Sequence, residues 1–256
     1  MLLSPLRAHA PPAVERAALI ASVGLLAAVA WMALGLSGSS GFLHLHHLSN
    51  AAVRSASFGL FFVASWTVMT VAMMLPTSLP VIATLHTLAG ERRDRLLLVA
   101  LVILGYLLLW SLFGAVVYLG WLGWQWLLSS SSWLARRLPS GSGLLLLLAG
   151  AFQFSSLKYK CLEKCRSPFS FVMEHWRGRR EQWQAFRLGV DHGLFCVGCC
   201  WALLLLMFAV GAGSLVWMLL LALVMAVEKN VPWGRRLSAP VGVVLLVAGL
   251  VLLGRG

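Results

Sequence analysis

Charge is what this sequence has least of. Only 11% of its 256 residues are charged, and just 8 are acidic. A soluble globular domain is about one-quarter charged, so the shortage excludes an ordinary water-facing fold. The acids are also too few and scattered for hydrolysis by a carboxylate pair. No Ser/His/Asp arrangement, P-loop or dinucleotide fingerprint occurs. Strand-like alternation long enough for a transmembrane barrel is missing, as is a convincing internal repeat. No catalytic motif is recognised, and a non-enzymatic role is favoured.

What the chain has instead is apolar sequence: 60% of its residues are hydrophobic, and its mean hydropathy is +0.88. A helix of roughly 20 apolar residues spans a bilayer. Apolar runs fall at about 17–36, 57–80, 96–120, 143–157, 190–211, 214–228 and 239–253. They predict an all-α, polytopic membrane protein of about seven transmembrane helices, a single domain over 1–256. The first run is read as a span, since its apolar stretch exceeds a normal signal-peptide core.

The net charge of +12 is read as topology rather than as a nucleic-acid surface. Alternate connections carry 16 Lys and Arg on one side and 4 on the other, which predicts a cytoplasmic N-terminus. Half of the larger group lies in 158–189, where Phe169, Val172, Met173, Trp176, Trp183 and Phe186 recur between basic residues. That pattern predicts a basic amphipathic helix on the inner surface, facing anionic lipids. A plain solvated connector is the competing reading.

The fifth run opens with residues that a membrane core rarely holds. At about 100° per residue, His192, Cys196, Cys199 and Cys200 share a stripe roughly 100° wide, within about 12 Å of axial rise. One imidazole and three thiols on one stripe point to metal or redox chemistry more than to packing. Cys161 and Cys165, in Lys158-Tyr159-Lys160-Cys161-Leu162-Glu163-Lys164-Cys165-Arg166, share a face if the fourth helix continues there. Their cationic neighbours are expected to favour thiolate. Pro168 should end that helix.

Weaker signals surround these. Met69 and Met73 repeat with Trp66 along the second run, followed by Met74, and Pro76 and Pro80 predict a kink. Together they suggest transfer of a soft metal, or simple packing. Glu228, costly near a span end unless paired, is expected to face either the cysteines or Lys158, with Lys229 directed elsewhere. Gln153 is expected to bridge helices by hydrogen bonding. His44, His46 and His47, in the first outer loop, could capture an external ion. Apart from these three, every unusual residue falls on the cytoplasmic side of the expected topology.

Thiolate, thioether and imidazole ligands favour Cu(I) over hard cations, while zinc and an iron–sulfur centre remain compatible with five cysteines. Copper is the favoured ion. His192, Cys196, Cys199, Cys200, Cys161 and Cys165 are its candidate ligands. Met69, Met73, Met74, Lys158, Glu228 and the three outer histidines are accessories. Two rivals stand beside metal handling: a membrane thiol–disulfide oxidoreductase, and a structural or assembly subunit of a larger membrane complex. A complex of that kind, or a metal-delivery protein, is the expected partner besides lipid.

Four segments carry a resemblance. They are Trp66-x₂-Met69-x₂-Ala72-Met73-Met74-x-Pro76, Lys158-x₂-Cys161-x₃-Cys165-Arg166-x-Pro168, Gly193-x₂-Cys196-x-Gly198-Cys199-Cys200-Trp201, and Trp217-Met218 through Glu228-Lys229. In this order, over roughly residues 57–230, the chain resembles an uncharacterised bacterial domain-of-unknown-function family described as predicted metal-binding integral membrane proteins. The resemblance implies a helical protein of the bacterial inner membrane, without an established reaction.

Overall fold

The computed structural model describes residues 13–38, 55–90, 92–130, 141–176, 180–210 and 214–254. Ten α-helices lie within them: α1 Ala13–Gly38, α2 Ala56–Met73, α3 Leu79–Ala89, α4 Arg95–Ser130, α5 Gly141–Phe152, α6 Ser156–Arg166, α7 Pro168–His175, α8 Glu181–Val210, α9 Leu215–Asn230 and α10 Ser238–Gly254. Short 3₁₀ turns at Pro76–Ser78 and Gly234–Leu237 link two pairs of them. No strand occurs among the described residues, so the all-α expectation holds.

Five helical stretches are long and apolar enough to cross a membrane: Val14–Leu36, Ala56–Met73, Arg95–Ser130, Glu181–Met207 and Gly234–Gly254. The other two expected spans correspond to shorter helices, α5 with 12 residues and α9 with 16. Helix α5 stops early for a local reason. The chain turns at Gln153 and Phe154, and the Ser155 hydroxyl accepts a hydrogen bond from the Lys158 amide at 3.1 Å. An N-cap of this kind starts a new helix, so 156–166 is α6 rather than the tail of α5.

The expected kink in the second run is a full break. Pro76 has no N–H to donate back into α2. The hydroxyls of Thr77 and Ser78 donate to the Met74 carbonyl at 2.8 and 3.3 Å, which also accepts from the Thr77 amide. Helix α3 begins after this turn with Pro80 at its start.

The segment 158–189 is not one surface helix. It is shared among α6, α7 and the start of α8, because Pro168 suits the first position of a helix and not its interior. Val172 of the expected apolar face is buried in the protein, as is Phe171 beside it, whereas Phe169, Met173 and Trp183 of that face are exposed.

Helix α8 is the axis of the bundle. More than half of its apolar window (56%) is buried inside the protein, against 17–33% for the other four stretches. It packs against α4, α5, α6, α7 and α9. The α4–α8 approach depends on glycine: a Cβ on Gly189 would strike the Val102 carbonyl, and one on Gly105 the Phe186 carbonyl. Small residues let helix backbones meet this closely inside membranes. The outer surface carries exposed Leu25, Leu60, Leu104, Leu112 and Leu250, an apolar exterior consistent with a membrane protein.

Candidate metal centre

The four residues of the α8 stripe are all buried: His192, Cys196, Cys199 and Cys200. Helical spacing puts them on one side, and that side faces protein. The Cys199 and Cys200 sulfurs lie 3.2 Å apart, and the Cys199 thiol donates to the Cys196 carbonyl at 3.2 Å. Cys196 also interacts with Cys200. All five cysteines of the chain are free thiols.

Helix α6 brings the second pair of thiols to the first. Cys165 interacts with Cys199, and Cys161 packs so tightly on Gly198 that a Cβ there would lie 2.6 Å from its sulfur. A thread of sulfur therefore runs from Cys165 through Cys199 and Cys200 to Cys196. Three of the cations expected to favour thiolate at Cys161 and Cys165 are committed elsewhere. Lys158 pairs with Glu228, Lys164 with Glu174, and Arg166 donates to the Glu228 and Pro232 carbonyls at the end of α9.

Three elements close the other side. The Tyr106 hydroxyl of α4 lies 3.0 Å from the Cys196 sulfur. The Lys229 ammonium of α9 lies 2.9 Å from the same sulfur, 3.3 Å from the Thr77 hydroxyl and 3.5 Å from the Met74 thioether. Ser78 meets His192 Nε2 at 3.2 Å. The His192 ring is stacked against Tyr106 and set edge-on to Phe171, with centroids 5.6 Å away in both cases. Its buried Nδ1 has no hydrogen-bond partner among the described residues, which leaves one imidazole nitrogen uncommitted.

A second polar knot lies beside the thiols. Both Glu228 carboxylate oxygens accept from the Lys158 ammonium, at 2.8 and 2.9 Å. Ser238 donates to Oε1 at 2.6 Å, and Gln153 Oε1 accepts from the same ammonium. Lys158 and Glu228 are essentially without solvent exposure, and a buried pair needs this kind of extra hydrogen bonding to offset desolvation.

Of the two partners that the sequence leaves open for Glu228, it takes Lys158 and not the cysteines. Lys229, expected to point away, is the residue that faces them. Gln153 ties helices as expected, but through Lys158. Met74 alone of the three methionines has its sulfur engaged at the site, while Met69 and Met73 pack in the core. His44, His46 and His47 lie outside the described residues. Tyr106, Thr77 and Ser78 escape the sequence reading, since a single Tyr or hydroxyl in an apolar run has no spacing signal.

Soft sulfur donors in a dry pocket suit a soft ion such as Cu(I). Among the described residues, no three His, Cys, Asp or Glu side chains already converge as a finished metal site. The arrangement is a line of thiols and not a closed cage, which favours an ion held by few ligands. No curated protein and no solved structure matches the chain. A family model does match, over residues 63–252, an interval that holds every buried site residue above and excludes the three outer histidines. That family is described as PpoB2, copper chaperone, and the chain belongs to it.

Proposed function

We propose that this protein is a multi-pass membrane copper chaperone that carries Cu(I) on the thiols of α8 and α6. Cys196, Cys199, Cys200 and Cys165 supply the holding thiols, two at a time. Cys161, His192 and Met74 are secondary donors through which the ion enters or leaves. The observation that carries this reading is the packing of α6 on α8 through sulfur, Cys161 against Gly198 and Cys165 beside Cys199, in a family described as copper chaperone. Chaperoning needs ligands that bind tightly and exchange readily, and an open line of thiols meets both demands better than a closed tetrahedral site. The physiological partner is then a membrane or membrane-facing copper acceptor.

The test is metal analysis of purified, reduced protein. Wild type is expected to retain copper, and Cys199→Ser/Cys200→Ser to fall to background while remaining folded. Copper content unchanged in the double variant would remove the assignment. The 3.2 Å between the Cys199 and Cys200 sulfurs also favours a second reading, a thiol–disulfide exchanger. Alkylation separates the two: a redox protein shows a cycling disulfide, a copper carrier thiols that metal protects.

For topology we propose seven crossings, with α5–α6 and α9 completing the five long helices, in a bacterial inner membrane with the N-terminus cytoplasmic. Lys158 and Lys229 are buried and carry no topological weight. Without them the Lys and Arg count is 14 against 4, still strongly one-sided. The thiols then lie near the cytoplasmic face, beside basic segments that face anionic lipids. A C-terminal reporter should register outside the cytoplasm and one in the loop around Arg92 inside; both on the same side would refute the seven crossings, and the reversed pattern would refute this orientation.

A further inference from the structure

The chain has four lysines, and two of them are buried. Lys158 has its carboxylate. Lys229 has none among the described residues: its contacts there are the Cys196 sulfur, the Thr77 hydroxyl and the Met74 thioether. Glu228, its neighbour on α9, is committed to Lys158 and Ser238. A buried ammonium without a counter-charge is costly, and the atoms around this one are those expected to receive the cargo.

Charge bookkeeping decides what that cargo can be. When a cuprous ion binds two thiols, two S–Cu bonds form, two S–H bonds break and both protons pass to solvent. No electron moves. The product carries one negative charge, and beside the Lys229 ammonium the pocket sums to zero. A divalent ion on the same two thiolates leaves a net positive charge in a site of low dielectric, where it is penalised severely. Tyr106, 3.0 Å from the Cys196 sulfur, supplies a neutral hydrogen bond and does not change the sum.

We infer that Lys229 is the specificity-determining residue of the copper site: its ammonium pairs with an anionic bis-thiolate complex that includes Cys196, so the pocket accepts a soft monovalent cation and rejects a divalent one. This inference rests on the copper reading above. Lys229 acts on the cargo through Cys196, and its signature is selectivity between ions rather than total binding.

The experiment uses the reduced full chain in detergent, with Cu(I), Ag(I) and Zn(II) each titrated against competing chelators. Wild type should prefer Cu(I) and Ag(I) over Zn(II). Lys229→Met should lower that preference by about tenfold or more, the effect of leaving a buried charge unbalanced, and Lys229→Arg should retain it. Thr77→Asp, which sets a carboxylate beside the ammonium, should shift the preference toward Zn(II) as Lys229→Met does, and it decides the matter if Lys229→Met does not fold. An unchanged preference ratio in either variant overturns the inference. If Cys199→Ser/Cys200→Ser loses copper while both ratios stay put, only the role of Lys229 falls. If the cysteine variant keeps its copper, the copper reading falls first.

Discussion

Glu228→Ala should be among the most damaging single substitutions in this protein. It strips both carboxylate acceptors from the Lys158 ammonium, whose exposure is 0%, and leaves a cation without its counter-charge inside the bundle, with Gln153 as its remaining acceptor. Breaking a buried pair from one side costs about 3–5 kcal/mol, a large fraction of the roughly 5–15 kcal/mol that holds a typical domain together. Ser238 would lose its acceptor as well. The expected result is a sharply lower folded yield and a lower thermal midpoint in detergent. Lys158→Met combined with Glu228→Gln removes both charges and should recover most of the loss, since apolar replacement of a whole pair is often neutral. If the single and double variants are equally unstable, the pair is not what makes the site sensitive.

Gly189→Leu should be comparably severe, for a steric reason. The added side chain meets the Val102 carbonyl and the Tyr106 amide nitrogen on α4, and backbone cannot rotate away as a side chain can. Overpacking a core costs about 1–3 kcal/mol when side chains absorb it, so this change should reach or exceed the upper end. Forcing α4 from α8 would also draw Tyr106 from Cys196. Gly120→Leu, on α4 where nothing lies within 4 Å, is the control and should be close to neutral. Size-exclusion profiles of the two variants give the comparison; an aggregated Gly120→Leu or a monodisperse Gly189→Leu would contradict the packing argument.

These residues also mark where sequence reading succeeds and where it stops. The α8 stripe was legible because 3.6-residue periodicity is intrinsic to a helix, and His192, Cys196, Cys199 and Cys200 share a side whatever surrounds them. Which neighbour meets that side is not periodic information. Glu228 and Lys229 are about 100° apart on α9, and choosing which of them faces sulfur requires knowing that α6 and α10 flank one side and the Pro76 turn the other. Lys158 read as a loop cation because the cap at Ser155, the first of two consecutive serines, does not by spacing alone mark the start of α6. The Pro76 break was legible as a disturbance, since proline lacks a donor, but the 3₁₀ turn at Pro76–Ser78 and the Thr77 and Ser78 hydroxyls on the Met74 carbonyl carry no spacing signal.

One consequence follows from the adjacency of Glu228 and Lys229. They are consecutive, yet each is anchored in a different knot, one ionic and one sulfur-lined. Any swivel of the last turn of α9 that frees one must tug on the other. The two anchorages work as a double latch on that flank, so rotation there cannot release the ion pair without also pulling the ammonium from the Cys196 sulfur.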